Sequence, residues 1–148
     1  MNEIAKKFFA LSEGVKKKVH ISMAEPSLNN WKSFVENGEV PLSYRESVVG
    51  TVQVVDPELP ERALEAIKSQ SSGEKIAKDY QEPICSMQDE DWVFNDDAQM
   101  AYYAIYNTFS KYVEHKEIDD WVIVNQALSS LGQGADIFTP LKQAVEQC

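Results

Sequence analysis

The chain has 148 residues, 43% of them hydrophobic and 10% aromatic, with a formal net charge of −10. This composition is too apolar for a disordered chain and fits one folded domain with a sizeable core. Its acidity disfavours nucleic acid and anionic membranes as direct partners and favours basic ones. No run approaches the ~20 apolar residues of a membrane span, and residues 1–9 lack the apolar segment of a signal peptide. A soluble, cytoplasmic protein is expected. The two cysteines, Cys85 and Cys148, make no disulfide framework and read as free thiols in a reducing compartment.

Taken in order, the elements are short amphipathic helices punctuated by Pro and Gly. Asn2 suits the cap of a first helix with Ile4, Ala5, Phe8, Phe9 and Leu11 on its apolar face. Ser12 and Glu13 open a second, carrying Val15, Val19 and Met23, which is expected to stop before Pro26. Ser27 then fits the cap of a third, with Leu28, Trp31, Phe34 and Val35 inward and Gly38 at its end. Residues 43–55 are ambiguous. Their β-branched run could form a strand, but Val48, Val52 and Val55 match helical spacing and the neighbours are helical, so a helix is preferred. Asp56-Pro57-Glu58 starts the next helix, with Ala63, Leu64 and Ile67 inward. Glu74 to Tyr80 reads as one short helix. Residues 81–95, with Pro83 inside, read as a long loop of the kind that often carries function. Asn95 or Asp96 caps the clearest helix, running to about Val113, with Ala98, Ala101, Tyr102, Ile105, Phe109, Tyr112 and Val113 on one stripe. A helix over 117–131 centred on Trp121 and a last one from Thr139-Pro140 complete the chain. The spacing predicts an all-α fold: one domain over residues 1–148, a bundle of about seven or eight short helices.

Charge is distributed unevenly along this chain. Residues 1–78 hold 11 basic and 11 acidic side chains, whereas residues 79–148 hold 3 basic and 13 acidic, so the whole net charge lies in the second part. No Lys, Arg or His occurs between Lys78 and Lys111. Asp89, Glu90, Asp91, Asp96 and Asp97 crowd around Trp92-Val93-Phe94 there. A calcium loop would need acids at alternating positions, a central glycine and a final glutamate. Counted from Asp89, Val93, Phe94 and Met100 stand at three of those places. His20 and His115 belong to no metal-ligand pattern, and no nucleophile elbow occurs. Cys85 lies among acids, a poor setting for an activated nucleophile. The residues specify no catalytic centre, metal or cofactor, and the chain is not expected to be an enzyme.

A contact surface is better supported. Asp96, Gln99, Tyr103 and Tyr106 share a flank of the helix that follows the acidic loop; Tyr offers large contact area at low entropy cost, and the two tyrosines equally fit core residues that keep only their hydroxyls at the surface. The expected partner-binding set is Asp89, Glu90, Asp91, Trp92, Asp96, Asp97, Gln99, Tyr103 and Tyr106. Trp92 has two readings: an anchor that a partner would desolvate, or a loop residue tucked into the core.

The acidic loop, the helix Ala98-Gln99-Met100-Ala101-Tyr102-Tyr103-Ala104-Ile105-Tyr106 and the segment around Trp121 resemble small helical immunity proteins of bacterial polymorphic toxin systems, including contact-dependent growth inhibition. The resemblance covers residues 89–131. It implies a one-to-one complex with a cognate basic toxin domain, often a nuclease, whose active site is covered. An acidic adaptor for another basic protein is the alternative, and a small metal-binding enzyme is less favoured.

Overall fold

The computed structural model describes residues 3–132 and 138–148. Within them the chain runs α1 (Glu3–Phe9), α2 (Glu13–Glu36), β1 (Ser43–Arg45), β2 (Val52–Val54), α3 (Leu59–Ser69), α4 (Glu74–Gln88), α5 (Asp96–Tyr112), α6 (Asp120–Ser130) and α7 (Thr139–Gln147). The expected helical bundle is present, with one small antiparallel hairpin added. The Asn2 cap expected for α1 lies outside the described residues. No helix among the described residues is long and apolar enough to cross a membrane.

α2 and α5 form the centre. α5 packs on α2, α3 and α6, and α2 also meets α7. Two apolar clusters result. One joins Leu28 and Trp31 of α2 to Leu59, Leu64 and Ile67, Tyr80 and Ile84, and Tyr102, Ile105 and Phe109. The other joins Phe8, Val19 and Met23 to Val124, Leu128 and Leu141. Ala98, Ala101 and Ala104 of α5 are all buried, and their small side chains let neighbouring helices approach closely. Gly73 has a similar role before α4: a Cβ there would lie 2.6 Å from the Phe109 ring.

The chain departs from the sequence expectations in three places. α2 does not stop before Pro26 but continues to Glu36, so the second and third expected helices are one. A proline inside a helix costs about 3 kcal/mol. Here Met23, Ala24, Ser27, Leu28 and Trp31 are buried on both sides of it, and packing outweighs that local cost. Ser27 is therefore not a cap. It is buried, donates to the Met23 carbonyl at 3.1 Å and lies 2.8 Å from the Ser130 hydroxyl.

The same physics extends α4 through Pro83 to Gln88, because Tyr80, Ile84 and Met87 continue one buried face. The expected long loop over residues 81–95 contracts accordingly to the short connection after Gln88.

The third departure is residues 43–55, where the preferred helix is wrong and the strand alternative is correct. Ser43, Tyr44 and Arg45 pair antiparallel with Val54, Gln53 and Val52. Gly50 has φ +76° and donates to the Glu46 carbonyl at 2.7 Å, closing a turn that a helix cannot contain. The Arg45 guanidinium also donates to the Gly50 carbonyl.

Candidate functional surface

The acidic segment is fastened at both ends. At its start the Asp89 N–H donates to the Cys85 carbonyl, and those of Asp91 and Trp92 both donate to Ser86, at 2.8 and 3.2 Å. Glu90 takes a left-handed conformation, φ +62°, that side chains other than Gly and Asn seldom adopt. At its end the Asn95 side chain accepts from the Ala98 N–H at 3.1 Å and so caps α5. Gln99 Nε2 donates to the Phe94 carbonyl at 2.8 Å, tying the loop to the first turns of the helix.

These anchors give the five acids different surroundings. Asp89 and Glu90 are exposed. Asp91 is half-buried, with Oδ2 shielded from solvent. Asp96 and Asp97 occupy the first turn of α5. There the helix dipole favours negative charge, so they stabilise the helix whatever else they meet.

Trp92 resolves in favour of the core reading. Its side chain is 1% exposed, so it is no surface anchor. The indole N–H donates to the Pro41 carbonyl at 2.9 Å, and the ring stacks on Tyr44 and meets Phe94 and Tyr102. Burying a large apolar ring whose single donor is satisfied is favourable, while Asp89 and Glu90 before it stay exposed. Tyr44 completes the junction by donating its hydroxyl to the Glu82 carboxylate. The hairpin, the end of α4 and the acidic loop are thus held as one piece.

Gln99, Tyr103 and Tyr106 are half-buried on one flank of α5. Tyr106 leans on Tyr80, with ring centroids 4.8 Å apart. Burial, with Tyr106 nearby, raises the Tyr103 hydroxyl pKa above its ordinary value, so it stays a neutral donor. From Asp96 to Tyr106 the flank runs roughly 15 Å along the helix.

Elsewhere a buried polar cluster joins α2, α5 and α6. His20 is fully buried and its Nε2 lies 3.0 Å from the Asp120 carbonyl. A carbonyl only accepts, so Nε2 carries the proton, and Nδ1 accepts from the Tyr112 hydroxyl at 2.6 Å. Burial lowers the His20 pKa to about 4 and keeps it neutral. Lys16 and Lys111 lie 3.5 and 3.0 Å from the Asp120 carboxylate. Burial opposes the Asp120 charge, but the hydrogen bond and charge of Lys111 prevail and bring its pKa below the ordinary value. The cluster links α2, α5 and α6 through the His20 hydrogen bonds and the ion pairs of Asp120.

Cys85 and Cys148 are both exposed and unbridged. Among the described residues, no group of three or more His, Cys, Asp or Glu side chains is placed to hold a metal ion. A cavity of about 290 Å³ is lined by Lys17, Gln70, Ser71, Tyr112, Val113 and His115. Its hydroxyls are already engaged, Ser71 by Ser69 and Tyr112 by His20.

One surface escaped the sequence reading altogether. Val48, Val49, Val52 and Val54 of the hairpin are exposed, Val48 and Val54 at 82% and 85%. The alternation Val52-Gln53-Val54 after Gly50 was its signal, masked by the helical spacing of Val48, Val52 and Val55. Comparison with family models, curated proteins and solved structures yields no match, so the functional reading rests on the chain's own chemistry.

Proposed function

We propose that this chain is an immunity protein that binds a cognate basic toxin domain, a nuclease in the simplest case, in a one-to-one complex and covers its active site. The observation that carries the reading is the surface built by Asp89, Glu90, Asp96 and Asp97 with Tyr103 and Tyr106, in a stretch without a basic residue from Asp79 to Ser110. A nuclease must present Lys, Arg or His to grip phosphates. Fixed acids opposite such a cleft steer the encounter and reject acidic competitors. The half-buried tyrosines supply contact area that loses little entropy on binding. The resemblance of residues 89–131 to small helical immunity proteins points the same way. Such a protein would act inside the cell that makes the toxin.

The test is inhibition. The basic C-terminal domain encoded by the reading frame immediately upstream is assayed on nucleic acid with and without this chain. Full inhibition at equimolar ratio, with a single 1:1 species in sedimentation, is expected. A nuclease left fully active at molar excess, or the absence of any such domain beside the gene, sinks the proposal.

A further inference from the structure

The hairpin carries an exposed apolar face. In the β1–β2 register Tyr44 is opposite Gln53, and Ser43 and Arg45 are opposite Val54 and Val52. Tyr44 is buried and Gln53 half-buried, while Ser43, Arg45, Val52 and Val54 are exposed on the other face. The tip adds Val48 and Val49. Eight large hydrophobic residues are exposed among those described, and six of them are Leu42, Val48, Val49, Val52, Val54 and Val93. The sheet has two strands, so each keeps an unpaired edge. Natural edges are usually protected by charge, proline or a covering element. β2 reads Val-Gln-Val and carries no charge. Concentrated exposed apolar surface of this kind marks an interaction site.

What covers this face follows from its attachment. Through Tyr44, Trp92 and Pro41 the hairpin is locked to the acidic loop, with the Tyr44 and Trp92 ring centroids 5.8 Å apart. A second copy seated here would bring a chain of net charge −10 against another of the same charge, a repulsive encounter. We infer that the hairpin's outer face docks an apolar patch of the same basic partner whose cations meet Asp89 and Glu90. This rests on the toxin-binding reading and adds the division of labour within it: acids set the rate of encounter, valines hold the complex.

The experiment uses the full chain and the basic C-terminal domain encoded immediately upstream. Val52→Thr with Val54→Thr keeps β-branched residues on an exposed face, so the hairpin is retained. The expected result is at least tenfold weaker binding, arising in the dissociation rate, whereas Asp89→Asn with Glu90→Gln slows association. Amide hydrogen exchange on the unmodified chain should show residues 42–54 gaining protection on binding. Unchanged affinity of the valine variant and unchanged exchange overturn the inference while the toxin-binding reading stands. No complex with the unmodified chain overturns both. A micromolar self-association that the valine variant abolishes shows that a second copy covers the face, and also overturns it.

Discussion

His20 shows how one buried side chain links the fold to pH. Its folded pKa of about 4 lies below the ordinary 6.5 because burial disfavours the imidazolium. The unfolded chain therefore binds the proton more readily between those values. His20's contribution is fully present above pH ~6.5 and is lost as pH falls toward 4, about 3 kcal/mol in all. Asp120 acts in the same direction, since its lowered pKa makes protonation in acid destabilising. Denaturant unfolding of the unmodified chain and of His20→Gln from pH 7 to 4 checks this. The variant should have a shallower slope, and parallel slopes would refute the assignment. At Trp92, truncation to Ala removes a fully buried ring and leaves a cavity, which is expected to cost about 3–5 kcal/mol. Thermal unfolding reads that loss, and an unchanged Tm would contradict the core placement. Glu90 presents the opposite case. Its left-handed backbone is strained for a side chain but free for Gly, so Glu90→Gly is expected to raise stability by roughly 0.5–1 kcal/mol while slowing association with a basic partner. A drop in Tm would show that its side chain has a structural role.

At the scale of elements, the prolines show how tertiary packing overrides local preference. Pro26 sits inside a helix whose buried residues lie on both sides of it, and Pro83 does so in α4. Restoring an N–H with Pro26→Ala is expected to raise stability by about 1 kcal/mol or more. Denaturant midpoints test this, and a lower midpoint would mean the ring's own packing dominates. The clear helices were legible in sequence for the complementary reason. In α5, Asn95 caps, Asp96 and Asp97 suit the positive end, and the apolar stripe runs without interruption, so capping, charge and periodicity agree. In residues 43–55 they conflict. Val48, Val52 and Val55 fit helical spacing while Val52-Gln53-Val54 fits a strand, and Gly50 with its positive φ distinguishes the two at the turn.

At the scale of the whole molecule, charge asymmetry is the property with a functional consequence. Exposed acids of one sign attract a basic partner over distances near the Debye length, ~10 Å at 0.1 M salt. The association rate with the basic domain is therefore expected to fall at least tenfold between 50 and 500 mM salt, on the order of known steered encounters, while dissociation changes little. Stopped-flow measurement decides this, and a salt-independent association rate would leave the acids without a steering role.

The sequence by itself determined the helical class, the places of the later helices, the acidic stretch and the flank of Asp96, Gln99, Tyr103 and Tyr106. Each of these depends on neighbours within a few turns of chain: periodicity, caps and local charge. Only the tertiary structure decided that Trp92 faces inward, that α2 and α4 run through their prolines, and that the hairpin valines lie in the open. Those outcomes turn on partners outside the local sequence: Pro41 and Tyr44 for Trp92, α5 for α2, the rings of Tyr102 and Phe109 against Tyr80 for α4, and the buried Tyr44 face that leaves Val52 and Val54 outside. Whether an indole flanked by acids becomes an anchor or a core residue depends on whether a carbonyl and an aromatic ring meet it in space, and local sequence carries no record of that.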